Sequence, residues 1–247
     1  MKNHNDLETI EAALPTYILL ADSLIQRHPE SVAPYLTGVS LYSSYVGLIP
    51  QNNKKRVTRL SDKARDYAFQ ALCLEEENLC DVSNMPFKKF DAMLRQSELD
   101  LKLMFTVASA WAGWIQHHKS DWHAIAQLAK VQVMMEQVIA RDDGYKNGQA
   151  HMYMGVIESA VPPSAGGDLE KAKKHFDKAV GLSNGENLMA KVLYAKNYAR
   201  MMFDEELHQK LINEVLEADA KAEGFTLMNM AAKKRARQLA ESAKDYF

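Results

Sequence analysis

The residues of this 247-residue chain best equipped for chemistry are its eight histidines and a run of aromatics near the middle. His117, His118 and His123 share the short stretch HHKSDWH. A helical zinc site needs paired His one turn apart, as in HExxH, so that both imidazoles reach one ion. No such pair occurs, and these three read as solvated loop histidines. His151 and His175 fall on successive predicted helices and read as polar contacts between them, with ligand contact as the alternative. In WAGWIQHHKSDW, Trp111 and Trp114 sit one helical turn apart with Trp122 just beyond, and Tyr145 and Tyr153 follow. Helical spacing predicts core packing. The alternative is that some of these aromatics, with the thirteen methionines, line an apolar cleft.

Motifs that support bond chemistry are missing. There is no G-x-S-x-G, no phosphate-cradling GxxxxGK[ST] and no GxGxxG. Gly144-Tyr145-Lys146-Asn147-Gly148 and Gly166-Gly167 lie at helix connections and read as turns. The acidic run at 75–77 reads as a solvated helix end, and no carboxylate pair is flagged as acid and base. Two basic runs, Lys54-Lys55-Arg56 with Arg59 and Lys233-Lys234-Arg235 with Arg237, alternate with apolar residues and read as solvated faces. The formal net charge of −2 offers no basic field for nucleic acid or an anionic membrane. No metal and no cofactor is implied, and the chain reads as a binding component, not an enzyme.

The elements that must position these residues are helical. Ala, Leu, Met, Lys, Glu and Gln dominate, and they lose little freedom in a helix. Helices are predicted at about 6–28 (with Pro15 near a break or first turn), 31–46 and 54–76. The second stops at Gly47, with Pro50 beyond it. Ser83 and Asn84 ahead of Pro86 predict the cap of a short helix. Further helices follow at about 95–117, 120–141, 145–160, 168–182, 187–202, 204–218 and 224–246. Ser120 or Asp121 caps the helix at 120–141, and Asp168 the one at 168–182. The first residues, MKNHNDLETIEAAL, lack an apolar leader segment, and no run of 18 apolar residues occurs. Cys73 and Cys80 are too few for a disulfide framework and read as buried free thiols, with a bridge as the alternative.

A repeat underlies these helices. In tetratricopeptide hairpins a small residue on the first helix lets the second approach, and an Ala-x3-aromatic-x2-Ala pattern packs against it. Gly155 followed by Ala172, Phe176 and Ala179 is the clearest match. Weaker ones are Gly38 and Leu41 with Ala64, Ala68 and Ala71, then Ala108 and Trp111 with Val131, Met135 and Val138. Ala190 and Leu193 with His208, Ile212 and Val215 form the last. The predicted fold is an all-α, degenerate tetratricopeptide-like helical-hairpin solenoid forming a single domain over 1–247. An enlarged Pro-Pro turn at 162–167 interrupts it. The helix at 224–246, with Met228, Ala232, Ala236, Leu239, Ala243 and Tyr246 on one face, would cap its end.

From about residue 100 onward the chain resembles a specific family. AWAGWIQHH, the block VQVMMEQVIARDDGYKNGQAHMYMGVIESAVPP, the stretch from SAGGDLEKAKKHFDKAV to NEVLEAD, and the terminal LMNMAAKKRARQLAESAKDYF carry the likeness. They are similar to the T component associated with TRAP-type solute transporters (TatT), and the likeness is weaker before residue 80. The resemblance implies a tetratricopeptide-like protein of the bacterial periplasm, often a lipoprotein anchored through an N-terminal Cys, that assembles as a homo-oligomer. It implies binding to the substrate-binding P component and passage of a small hydrophobic or organic-acid ligand through a cleft or pore. No lipobox or leader precedes Asn5, so export rests on the resemblance alone. The family's recurrent residues correspond here to Trp111, His151, Gly155, Gly166, Gly167, Asp168, His175, Phe176, Tyr194, Asp204, Asn229 and Arg237. Trp111, Trp114, His151, Tyr153, His175 and Asn229 are the expected ligand or partner contacts, because a polar tip on a helix must be paired or wetted. The alternative function is a cytoplasmic tetratricopeptide adaptor for a partner's peptide segment. Inner helix faces rich in Trp, Tyr, Ala and Met, not Lys, Arg and Asn, disfavour a clamp for acidic tails.

Overall fold

A computed structural model of the protein describes residues 1–50, 52–160 and 167–247. The all-helical expectation holds, with no strand among the described residues. None of their helices is long and apolar enough to cross a membrane. Most of the enlarged turn expected at 162–167, Gly166 included, lies outside the described residues.

The chain forms two compact units. One is Glu11–Arg141, and the other joins Met1–Ile10 to Asp142–Phe247. The first unit holds most of α1 (Leu7–Arg27), then α2 (Val32–Leu48), α3 (Lys54–Glu75), a 3₁₀ turn at Glu77–Leu79, α4 (Phe87–Gln96), α5 (Leu101–His117), the short α6 (Trp122–Ile125) and α7 (Leu128–Arg141). Successive pairs α2/α3, α3/α5 and α5/α7 pack together. Gly38 allows the first approach: a Cβ there would sit 2.9 Å from the Tyr67 ring. Asp22 of α1 accepts from the hydroxyls of both Tyr42 and Tyr67, at 2.9 and 2.7 Å, and so ties three helices together.

The second unit holds α8 (Tyr145–Glu158), α9 (Leu169–Leu182), α10 (Leu188–Tyr194), a π-helical continuation at Ala195–Ala199, α11 (Glu205–Glu217) and α12 (Thr226–Glu241). The expected hairpin packing is present in α8/α9. A Cβ on Gly155 would lie 2.9 Å from three atoms of the Phe176 ring, and Ala172, Phe176 and Ala179 are fully buried. Helix α12 packs on α10 and α11 through Ala232, Ala236 and Leu239. Arg200 holds its end by donating to the Leu239 carbonyl and the Ser242 hydroxyl, both at 2.8 Å.

Several local expectations are corrected. Helix α1 runs through Pro15 without ending, because Ile10, Leu14, Ile18, Ala21 and Ile25 bury one stripe on both sides of it. Gly47 lies within α2, which continues to Leu48. Ser83 and Asn84 do not cap α4, whose first flanking residue is Pro86. The helix expected from 95 opens only at Leu101, where Asp100 accepts from the Leu103 N–H at 2.7 Å. The helix expected over 120–141 divides into α6 and α7. The terminal helix stops at Glu241, so Ala243 and Tyr246 lie beyond it.

The cysteines are bonded, not free: Cys73 and Cys80 form a disulfide with Cα atoms 4.2 Å apart. The 3₁₀ turn at Glu77–Leu79 folds the chain back onto the end of α3, with Leu72 and Leu79 buried beneath it. Cys80 is itself exposed. Sequence spacing alone carries no sign of that reversal.

Candidate functional site

In the second unit, an unusual turn builds a polar group that joins two helices. Three consecutive residues, Lys146 (φ 50°), Asn147 (φ 56°) and Gly148 (φ 75°), adopt left-handed backbone where α8 begins. Gly148 is required there twice over. Its φ is positive, and a Cβ would meet the Leu182 Cβ at 2.9 Å. Asn tolerates the conformation better than most residues, whereas Lys146 is held there at a local cost. The turn sets Asp143 beside α8, where its carboxylate accepts from His151 Nε2 at 3.0 Å. Lys178 of α9 reaches both oxygens of the same carboxylate at 2.7 Å.

His151 is buried on α8 and faces His175 of α9, with their Nδ1 atoms 2.8 Å apart. Hydrogen bonds from Lys178 and His151 hold the Asp143 carboxyl below its usual range. Burial lowers His151 despite the neighbouring carboxylate. His175 is pushed down to about 4 by burial, with the His151 and Lys178 charges adding to it. Both rings are therefore neutral near pH 7. An ionised Asp143 requires His151 to donate from Nε2, which leaves its Nδ1 as an acceptor. His175 must then donate from Nδ1, and its Nε2 carries a lone pair able to accept a hydrogen bond or a proton. Among the described residues no three His, Cys, Asp or Glu side chains gather to hold a metal ion.

Tyr153 lies two residues beyond His151 and so on another side of α8. It packs partly buried against the core of Leu188, Val192, Leu211 and Ala236. The structure thus brings His151 and His175 together and leaves Tyr153 apart from them. Asp143 and Lys178, which complete the group, were not singled out in the sequence. A left-handed Lys-Asn-Gly turn has no periodicity to announce it, although Asn-Gly is a turn signal.

The three tryptophans of the first unit have different surroundings. Trp111 is 0% exposed, stands edge-on to Phe69 and Phe90, and donates its N–H to Gln127 Oε1 at 2.8 Å. Trp114 is 6% exposed and donates to Asp62 Oδ1 at 2.8 Å. The His118 ring stacks on it at 4.5 Å, and the Arg65 guanidinium lies 4.2 Å from its centroid. His118 also reaches Asp62 through Nε2 at 3.1 Å, so it is a packed member of this group and not a solvated loop histidine. Trp122, by contrast, is 84% exposed.

The sequence profile of the TRAP transporter T-component family matches residues 3–247. The chain belongs to the TRAP transporter T-component family. No individually curated protein matches it significantly. The family assignment supports a role associated with TRAP transport.

In this T-component the remaining predicted positions do identifiable local work. Asn229, fully buried on α12, accepts from the Leu188 N–H at 3.0 Å and donates to the Glu186 and Ala220 carbonyls. It thereby caps α10, whose own leading residue, Asn187, makes no side-chain cap. Asp168 caps α9 through the Lys171 N–H, and Asp204 caps α11 through the Leu207 N–H. Tyr194 stacks on Phe176 at 5.0 Å and donates to Asp177 at 3.0 Å. Burial, and then the Asp177 charge, raise its hydroxyl above the usual phenol range. Arg237 is exposed.

Proposed function

We propose that this T-component is a periplasmic accessory protein of a TRAP-type solute transport system. It binds the substrate-binding P component and works as a homo-oligomer. It also takes a small organic ligand, for which the α8/α9 face is the better of the predicted contact groups. The observation that carries the reading is the family match, which spans nearly the whole chain. The Cys73–Cys80 disulfide supports an oxidising compartment, because cytosolic thiols are kept reduced.

The ligand part rests on His175, half-buried on a helix whose exposed lysines include Lys171, Lys174 and Lys178 and engaged with His151 through Nδ1, not Nε2. These residues recur at i, i+3 and i+7 around it, so an acidic ligand with a hydroxyl would find both a cation and an acceptor. Trp111 and Trp114 support such a site less directly, since both indole N–H groups are engaged within the first unit.

The deciding experiment is titration of the purified chain with each P component encoded in the same genome, read by calorimetry. Saturable binding, with export of the chain seen on cell fractionation, is the expected result. A chain that stays in the cytoplasm and shows no heat with any encoded P component would overturn the reading.

A further inference from the structure

We infer that the second unit holds an interior binding site for a small hydroxy-carboxylic acid, built from Asn187, Arg235 and the two thioethers, Met152 and Met189, that occupy their donors. Helices α8 and α12 each pack on α10 there, and the site uses another side of α8 from His151. It concerns the chain alone and stands without the transport reading.

Asn187 leads α10 and is fully buried, yet its side chain makes no cap. Asn229 takes the Leu188 N–H in its place. The Asn187 Nδ2 donates to the Met152 sulfur at 3.9 Å, and its Oδ1 has no hydrogen-bond partner among the described residues. Turning the amide over would leave the Nδ2 without a partner instead, so one polar end stays open in either orientation. Buried polar groups are nearly always paired, because an orphaned one keeps the full cost of leaving water. Asn187 therefore lowers the stability of the free chain, and a Leu of similar size would not.

Arg235 of α12 repeats the arrangement, with its Nη1 donating to the Met189 sulfur at 3.6 Å. Burial lowers its guanidinium from the ordinary range, and Tyr153 is the neighbour that acts against this. Thioether sulfur is a weak acceptor. A carboxylate oxygen in its place makes a charge-assisted bond to the guanidinium, which is far stronger. Methionine can yield the position, because its unbranched chain turns about three bonds. Exposure falls from Arg235 and Tyr153, both partly buried, through the two buried methionines to the sealed Asn187. The same groups select the ligand. The planar fork of Arg235 matches a carboxylate. A carboxamide offers one donor and one acceptor, and a hydroxyl complements both. The thioethers and the Tyr153 ring suit an aliphatic body.

The test is calorimetry of the purified chain at pH 7.5 with 2-hydroxy-4-methylpentanoate. The controls are 4-methylpentanoate, which lacks the hydroxyl, and 2-hydroxy-4-methylpentanamide, which lacks the charge. The hydroxy acid should bind, and each control should bind about tenfold or more weakly. With ¹³C-methyl methionine, the Met152 and Met189 signals, assigned through Met152→Leu and Met189→Leu, should shift on saturation. Arg235→Gln should abolish binding, and His175→Asn should leave it unchanged. Asn187→Leu should weaken binding about tenfold while its urea midpoint holds or rises, a combination that a purely structural amide does not give. A lower midpoint for Asn187→Leu assigns the amide to the fold and overturns the inference. So does absence of binding, or binding of the deoxy acid that equals that of the hydroxy acid. Binding lost in His175→Asn but kept in Arg235→Gln overturns it in favour of the α8/α9 face. Binding of the P component is measured separately and is untouched by any of these failures.

Discussion

The Nδ1 atoms of His151 and His175 lie 2.8 Å apart, so one of the two nitrogens must carry the proton and the other must accept it. Asp143 decides which, because it takes the Nε2 proton of His151. The expected tautomers are Nε2–H for His151 and Nδ1–H for His175. Long-range ¹H–¹⁵N spectra of the imidazoles at pH 7.5 should show these two opposite patterns. Asp143→Asn, which can also donate to His151, should scramble them. Identical tautomers in the wild-type chain would contradict the assignment.

The same pair predicts an acid-sensitive fold. The pKa of His175 in the folded chain is about 4 against an ordinary 6.5, so the unfolded chain binds the proton first as pH falls. Stability is therefore whole above pH 6.5 and drains away between 6.5 and 4. His151, also lowered, acts in the same direction. A tenfold difference in proton affinity between the folded and unfolded chain corresponds to about 1.4 kcal/mol. With allowance for a partly solvated ring, the loss from His175 is about 2 kcal/mol. Urea unfolding at pH 7, 5.5 and 4.5 should show this decline, and His175→Asn should flatten it.

Close approach of α8 and α9 predicts intolerance at one glycine. Gly155→Ala would place a methyl group 2.9 Å from three atoms of a fully buried Phe176 ring, which is also stacked on Tyr194. The ring has nowhere to turn, so overpacking should cost about 1–3 kcal/mol. Adding Phe176→Leu should recover part of the loss, and a double-mutant cycle in urea measures that coupling. Additive effects would mean that the two residues do not meet.

That Gly-Phe contact was legible in the sequence because small and large residues at helical spacing report on packing directly. The paired histidines were legible as a contact between helices for the same reason. Asp143 was not, since the left-handed turn that aims it depends on what surrounds Gly148. The tryptophans show the limit most clearly. Trp111 and Trp122 are the same residue type on neighbouring elements, yet one is enclosed by Phe69 and Phe90 and the other stands in solvent. Helical periodicity gives a side chain's direction but not what lies across from it. The cysteine pair failed for a related reason: a 3₁₀ turn, not spacing, brings Cys80 back to Cys73.

The disulfide predicts a redox-dependent stability. The chain contains two cysteines, both in the bridge, so thiol titration of the unfolded, unreduced protein should find none and reduction should release two. Closing so short a loop is worth about 2 kcal/mol by chain-entropy reasoning. Cys73→Ser with Cys80→Ser should lower the midpoint of urea unfolding accordingly and make it insensitive to dithiothreitol. A wild-type midpoint unchanged by reduction would show that the native bridge adds nothing to the fold.

Gln127 is the last residue with a sharp expectation, because one amide serves both the core and the surface. Gln127→Leu removes the acceptor of a fully buried indole N–H, and an orphaned buried donor costs about 1–3 kcal/mol. Gln127→Glu keeps an acceptor for Trp111 but loses the bond to the His123 carbonyl, so its stability loss should be smaller. Trp111→Phe combined with Gln127→Leu removes both partners, and the pair should cost less than the two single changes added together. Urea unfolding of the single and double variants measures this coupling, and costs that simply add would show that the indole and the amide do not depend on one another.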